Sequence, residues 1–410
     1  MELFKNTNFD FLGKKWPFII ASLVLTAAGA ASILTQGGLR FGIDFKGGAL
    51  MTVKFADTPP LDKIRAAFAK SGKIKGDVSV QSFTDPSAKN EVEIGIELAD
   101  ERLLAANRQA MEEVLATAFG QPASGKLDFN GASQQQLIDR LRDPIARAGV
   151  PMNEPQLQKL VADMMNFRDT PPRSGMITDF TQLASVPGVN TAIINTLKQE
   201  SYLAPYKVIQ TQMVGPKVGV ELRTKAVLAT LYALGGMLVY IAFRFEWIYG
   251  LGAVIAVFHD TLITIGLFSI FHEDISMTVI AALLTLVGYS MNDTIVIFDR
   301  IRENLKIMRR EPLESLMNKS INQTLSRTIM TSGLTFLTVI ALFIWGGPVL
   351  HGFSFALVCG IIVGTYSSVF IASPIVLFWH NYADKRKKTA PAATTARPDT
   401  VRKSPARAIK

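Results

Sequence analysis

The chain has 410 residues, 49% of them hydrophobic and 19% charged, with a net charge of +9. Apolar content this high in a chain this long comes from extended apolar runs, which excludes a wholly soluble protein and points to a membrane protein with a sizeable polar part. The single cysteine, Cys359, excludes a disulfide framework, and no HExxH, CxxC or GxSxG arrangement is present to suggest soluble-type enzyme chemistry or a metal centre.

The first apolar run, Trp16–Leu34, follows Lys5, Lys14 and Lys15. It can cross roughly 30 Å of hydrocarbon, and it exceeds a signal-peptide core, so it reads as an uncleaved signal-anchor. GIDFKGG (Gly42–Gly48) comes next. It lacks the Gly-Lys-Ser/Thr ending of a phosphate loop, and its glycines read as a sharp backbone bend into a sheet, with no helix opened.

From Leu39 to Lys225 the composition turns polar, with 23 basic and 21 acidic residues. Alternation predicts strands over Ala49–Phe55, Val78–Phe83, Val92–Leu98 and Tyr206–Met213, with the turn Asp85-Pro86-Ser87 between the middle two. Helical spacing covers Pro59–Ser71 and Arg102–Phe119. The order β-α-β-β-α-β is the ferredoxin-like arrangement. Residues 120–203 are too long for a loop and hold helical stretches near Ser133–Ala148, Pro155–Asn166 and Thr178–Gln199, a helical insertion. Within it, LASVPGVNTAIINTLK resembles a helix-hairpin-helix turn, but Asn190 stands where that motif favours glycine. With the domain close to neutral, no nucleic acid is expected as a partner.

Five further apolar runs lie near Ala226–Phe243, Ile248–Phe271, Met277–Phe298, Thr328–Trp345 and Gly352–Trp379. The fold class is therefore a membrane all-α six-helix bundle with an external α+β ferredoxin-like domain carrying a helical insertion. Its ranges are 1–15 for the N-terminal segment, 16–34 for the first span, 39–225 for the external domain with its insert at 120–203, and 226–379 for the other spans with a loop at 299–327. The tail, 380–410, is basic and rich in Pro, Ala and Thr, which reads as disordered and close to anionic membrane lipids.

In GYSMNDTIVIFDRIREN (Gly288–Asn304), Asp293 lies inside a span. A carboxylate at that depth costs at least a few kcal/mol, so a proton or ion role is the default reading. Arg327, within QTLSRTIMTSG, opens the next span. The two make either a protonation switch or a fixed ion pair. Tyr289 and Asn292 share helical spacing with Thr285, Val296 and Arg300, which puts polar groups beside Asp293. Thr328 belongs to a hydroxyl stripe with Thr324, Thr331, Thr335 and Thr338. His259-Asp260 is a second ionisable pair that either extends a proton path or bonds a neighbouring helix, and no other His or Cys gives it zinc spacing. The sixth span repeats Gly352, Ala356, Gly360, Gly364, Ser368 and Ala372, small residues that let helices approach closely. Between the fourth and fifth spans, Ile301, Leu305, Met308, Leu313, Leu316, Met317 and Ile321 predict amphipathic helices lying on the membrane interface.

Basic residues set the orientation. Asp299 to Arg327 holds seven Lys/Arg against four acids, and the tail from Asn381 holds nine against two, while His272–Ser276 and Gly346–His351 hold no Lys or Arg. With six spans these segments alternate sides, placing both termini in the cytoplasm and the large domain outside.

GIDFKGG after a first span, VGP followed by ELR before the second, GYSMNDTIVIFDRIREN and QTLSRTIMTS together resemble the SecD/SecF family of the bacterial Sec protein-export machinery, and its SecF members in particular. The likeness covers nearly everything except Gly120–Leu203 and the tail, and the insert exceeds the short external domain typical of the family. It implies a bacterial inner-membrane protein with a periplasmic domain, related to resistance-nodulation-division exporters, that promotes protein export with the proton motive force. It also implies SecD, the SecYEG channel, commonly YajC, and the exported unfolded polypeptide as partners, with no cofactor and no hydrolytic chemistry. Asp293 and Arg327 match the positions regarded as the family's proton relay; Asn292, Asp260, Tyr289 and Thr328 are read as its support from their own places in the spans. The alternative is a proton-driven exporter of small molecules or lipids from the related superfamily.

Overall fold

The computed structural model describes residues 7–389 apart from 73, 75, 77, 83–89, 98–101, 103, 121–124, 172, 174 and 245. Lys5, the turn at 85–87 and the tail from residue 390 lie outside the described residues. Among the described residues six helices are long and apolar enough to cross a membrane, and a small four-stranded sheet stands at one end of them.

The first long helix, α1 (Lys15–Thr35), leads into a single helical turn, α2 (Ile43–Lys46), inside GIDFKGG, where the sequence suggests a bend alone. Gly47 and Gly48 follow at φ +82° and +153°. A Cβ on Gly47 would lie 2.5 Å from Pro216 Cα, and one on Gly48 would lie 2.1 Å from the Ile96 carbonyl oxygen. Positive φ and this close backbone approach both demand glycine.

The polar segment contains β1 (Gly48–Phe55), α3 (Leu61–Ser71), β2 (Val78–Ser82), β3 (Glu91–Glu97) and α4 (Leu104–Phe119). An inserted element adds β4 (Leu127–Asp128), α5 (Gln134–Arg147), α6 (Glu154–Asp169), a 3₁₀ turn at Phe180–Ser185, α7 (Thr191–Glu200) and β5 (Ser201–Tyr202), before β6 (Tyr206–Val214) completes the sheet. The strand order is β2-β3-β1-β6, antiparallel throughout. Alternation puts Ala49, Met51, Val53, Val92, Ile94 and Ile96 on one face, packed against Ile64, Phe68, Met111 and Leu115 of α3 and α4.

The insert has its own core, which includes Phe129, Leu137, Leu141, Val161, Leu183 and Leu197. Capping boxes start α5 at Ser133 and α6 at Asn153. The helical stretch expected over Thr178–Gln199 is divided, because Pro187 cannot continue a helix and Gly188 turns the chain at φ +87°. Asn190 caps α7, accepting from the Ile193 N–H at 2.9 Å, which accounts for asparagine at that position. Since the sheet's core draws on none of the insert's apolar side chains, replacing residues 120–203 by a short Gly/Ser linker should leave a folded, membrane-inserted protein. Its level in membranes and the protease resistance of the sheet check this, and rapid degradation would show that the insert belongs to the sheet's core.

The remaining helices are α8 (Pro216–Arg244), α9 (Trp247–Phe271), α10 (Met277–Ile307), α11 (Leu313–Trp345), α12 (Pro348–Ser367) and α13 (Ser373–Thr389). Interfacial helices between the fourth and fifth spans do not form. Instead α10 and α11 run on past the apolar runs as a hairpin, and Ile301, Leu316, Met317 and Ile321 are fully buried in it. The two apolar stripes pack largely against each other. Asn304 locks the hairpin by donating to Ser320 Oγ and Gln323 Oε1, each at 2.8 Å. The N-terminal segment is clamped to the same end, with the Phe11 and Leu12 N–H groups donating to Asn318 Oδ1 at 3.1 and 3.0 Å.

The sixth apolar run is interrupted by a π-helical turn at Ser368–Ala372. Pro374 has no N–H to continue the α-helical ladder, and Ser373 Oγ donates to the Ser368 carbonyl at 2.9 Å. Beyond the turn α13 continues to Thr389, so residues 380–389 are helical where the sequence suggests a disordered tail.

The second face of the sheet, with Thr52, Gln81, Glu93, Gln210 and Gln212, roofs a cavity of about 460 Å³ above Glu273, Asp274, Ser276 and His351 at the helix ends. Burial, reinforced by Asp274 and Glu273, pushes the Glu93 carboxyl up to about 7 from the ordinary 4.5. A carboxyl raised on folding favours the folded state below its unfolded value, and that contribution is lost as pH rises through the folded value. The seating of the sheet on the bundle should therefore weaken between pH 4.5 and about 7. Glu93→Gln should remove this drop, stabilising the domain above pH 7 by on the order of 1 kcal/mol. Thermal unfolding followed across that range checks it.

Candidate functional site

Asp293 sits on α10 with 3% of its surface exposed. Its buried face of the helix also carries Ser290, Thr294, Ile297 and Ile301. Oδ2 accepts a hydrogen bond from Ser332 Oγ of α11 at 2.8 Å. Among the described residues no ion pair joins Asp293 to Arg327, whose side chain lies exposed on the outer surface of α11. The arginine's charge acts on the carboxyl only through space. The fixed ion pair is thus absent from this conformation, and a lone hydroxyl holds the acid.

The residues that spacing places around Asp293 are divided by the fold. Asn292 and Thr285 are exposed on a different face of α10 and do not face the acid. Tyr289 is half-buried one turn away, and its hydroxyl is buried with no hydrogen-bond partner among the described residues. Thr328 is buried on the face of α11 that Ser332 shares, while Thr331 and Thr338 point outward. The inward hydroxyl series is therefore Thr324, Thr328, Ser332, a strict four-residue repeat. Following threonines alone hid Ser332, the residue that touches the acid.

A second buried acid is more heavily bonded. Asp260 of α9 is 1% exposed. Its Oδ2 accepts from Ser290 Oγ of α10 at 2.5 Å and from Ser367 Oγ of α12 at 2.8 Å, and its Oδ1 lies 2.9 Å from His259 Nδ1. Asp260 thus bonds two neighbouring helices. Ser290 and Asp293 are one turn apart on α10, so this helix touches both acids. No group of three or more His, Cys, Asp or Glu able to hold a metal occurs among the described residues.

Close helix packing makes these contacts possible. A Cβ on Gly352 would lie 3.0 Å from Val279, one on Gly360 2.5 Å from Leu286, and one on Gly364 3.1 Å from Ser290 Cβ. Ala356, Ser368 and Ala372 are fully buried in the same helical run. A contact that the sequence did not suggest joins α1 to α9, where a Cβ on Gly29 would lie 2.7 Å from Gly266 Cα. Outside the bundle core, Asp44 Oδ2 accepts from the Met277 N–H at 2.9 Å, tying the glycine motif to the first turn of α10.

Two family descriptions match the chain. Residues 194–382 match "Protein export membrane protein SecD/SecF, C-terminal" and residues 32–59 match the "SecD/SecF GG Motif". The protein translocase subunit SecF of Koribacter versatilis is 48% identical over 399 residues, covering 95% of this chain and 96% of that protein. An alignment of that extent runs through the insert, so the likeness is wider than the four motifs indicate. SecF of Calditerrivibrio nitroreducens is 39% identical over 92% of this chain and 96% of its own. The crystal structure of SecDF, described as a translocon-associated membrane protein, from Thermus thermophilus superposes with a TM-score of 0.62 at 30% identity. It covers 92% of this chain, which spans 39% of that longer one. On these matches and the six-helix bundle with its glycine motif, the chain belongs to the SecD/SecF family of protein-export membrane proteins, among the SecF subunits.

Proposed function

We propose that the chain is an accessory subunit of the Sec preprotein translocase that works with a SecD subunit and uses the proton motive force to promote protein export across the bacterial inner membrane. The names of its relatives support the export role, and the single-chain SecDF of Thermus thermophilus, 39% identical over 64% of this chain, supports the pairing with SecD. The observation that carries the proton reading is Asp293, a buried carboxyl held by one hydroxyl with an arginine free to approach it. A small-molecule or lipid exporter is the weaker reading, since the relatives are named as protein translocase subunits.

The external domain is read as ferredoxin-like with a helical insertion, on its β-α-β-β-α-β order and its β2-β3-β1-β6 arrangement. Loop charge supports cytoplasmic termini and a periplasmic domain. The SecYEG channel, YajC, the exported polypeptide and membrane lipids complete the assembly. No resident cofactor is invoked, protons supply the energy, and the subunit carries out no hydrolysis of its own.

In the proposed cycle, ionised Asp293 draws Arg327 inward, while protonated Asp293 is satisfied by Ser332 and leaves the arginine outside. Exchange of these partners shifts α10 against α11. The outer end of α10 is bonded to Asp44 of the glycine motif, and Gly47 of that motif packs on Pro216 at the start of α8. A shift of α10 is thereby delivered to the sheet. Thr328 and Tyr289 line the approach to the acid, whereas Asn292 faces away from it.

Asp293→Asn should assemble normally and lose the gradient-dependent part of export by about tenfold or more, because the amide keeps the shape and cannot exchange a proton. Export into vesicles with an imposed proton gradient checks this, and wild-type stimulation would refute it. Arg327→Lys should recover only part of the activity, since an ammonium lacks the planar fork that pairs with a carboxylate. Arg327→Met should recover none at unchanged protein level. A sharp fall in level for either variant would instead indicate a structural ion pair.

A further inference from the structure

His259 presents an unused chemical group beside a fully engaged acid. Both serine hydroxyls that reach Asp260 donate to its Oδ2, and since an ionised carboxylate only accepts, with Asp260 ionised the hydrogen of the 2.9 Å contact at Oδ1 belongs to His259 Nδ1. That fixes the tautomer and leaves a lone pair on Nε2, which is buried and has no hydrogen-bond partner among the described residues. The titratable groups against the imidazole are Asp260 on its own helix and Tyr366 of α12, whose ring stands edge-on with centroids 6.2 Å apart. From α1 and α10 the polar groups bonded into this cluster, among the described residues, are hydroxyls: Ser22, bonded to the Tyr366 phenol at 2.7 Å, and Ser290.

We propose that His259 and Asp260 form a second proton-holding site of the bundle, that Nε2 of His259 is the atom that takes up the proton, and that α10 couples this site to Asp293. An incoming proton adds to the Nε2 lone pair and breaks no existing bond. The resulting imidazolium is balanced by the Asp260 carboxylate already bonded to Nδ1, and release reverses the same N–H bond. Gly364 lets α12 come close to the Ser290–Asp260 contact, since a Cβ there would lie 3.1 Å from Ser290 Cβ. Ser290 bonds Asp260 while Asp293, one turn further along α10, bonds Ser332, so a shift of α10 at one acid is felt at the other. The coupling rests on the proton reading of Asp293, whereas the proton site itself stands on the geometry around His259.

The test uses the full chain, reconstituted with its SecD partner in lipid nanodiscs and labelled with ¹⁵N-histidine. His259 is assigned from the signals lost in His259→Gln, and His272, His351 and His380 report that each variant keeps its fold. Nε2 of His259 should pass from an acceptor-type to an N–H-type signal as the pH is lowered from about 8 to about 5. Asp260→Asn and Asp293→Asn should each displace that transition along the pH axis. An Nε2 signal that does not change over this range overturns the site. A midpoint identical in Asp293→Asn overturns the coupling. If the export reading is what fails, Asp293→Asn exports normally while the His259 transition persists, so the two failures are distinguishable.

Discussion

The bundle is organised around a carboxyl that has left water without taking a counter-ion with it. Asp293 is almost wholly buried, and its recorded hydrogen bond is to the Ser332 hydroxyl. An ionised carboxylate in such surroundings is expensive unless a cation joins it, and a neutral one is not. The site therefore has two self-consistent arrangements, acid with serine or carboxylate with arginine, and the structure displays the partners of the first. Close packing of α10 against α12 through Gly352, Gly360 and Gly364 keeps that choice from being blurred by water or lipid.

The same helix carries the consequence outward. α10 is held at the end nearest the sheet by Asp44 and at its other end by Asn304, which bonds Ser320 and Gln323 of α11. Between these anchors lie Ser290, which bonds the Asp260 carboxyl of α9, and Asp293, which accepts from the Ser332 hydroxyl of α11. In the proposed cycle such a packed element moves as a unit between discrete positions. The glycine motif is then the proposed joint, because Gly47 and Gly48 bring the sheet, α2 and the start of α8 into backbone contact.

Much of this was legible in the sequence because membrane burial leaves a coarse trace. Long apolar runs locate six spans, and a carboxylate inside one of them, Asp293, stands out against hydrocarbon. Strands of the small sheet were legible through strict alternation, as in Ala49, Met51 and Val53. What stayed hidden depends on which side of a helix a residue faces. Asn292 adjoins Asp293 in sequence yet is turned about 100° around the helix onto an exposed face, and Ser332 was obscured by more numerous threonines although it continues the spacing of Thr324 and Thr328. Hydropathy also could not show that Ile301 and Ile321 would bury each other in a hairpin and avoid the interface. The contact of Gly29 with Gly266 has no periodic signature in either helix.

Infrared difference spectroscopy of the reconstituted complex, recorded between acidic and alkaline conditions, tests the central claim most directly. The account predicts a protonated-carboxyl C=O band that appears on acidification, shifts in Ser332→Ala because its hydrogen-bond donor is lost, and is missing in Asp293→Asn. A difference spectrum in which no carboxyl band is removed by Asp293→Asn would contradict it.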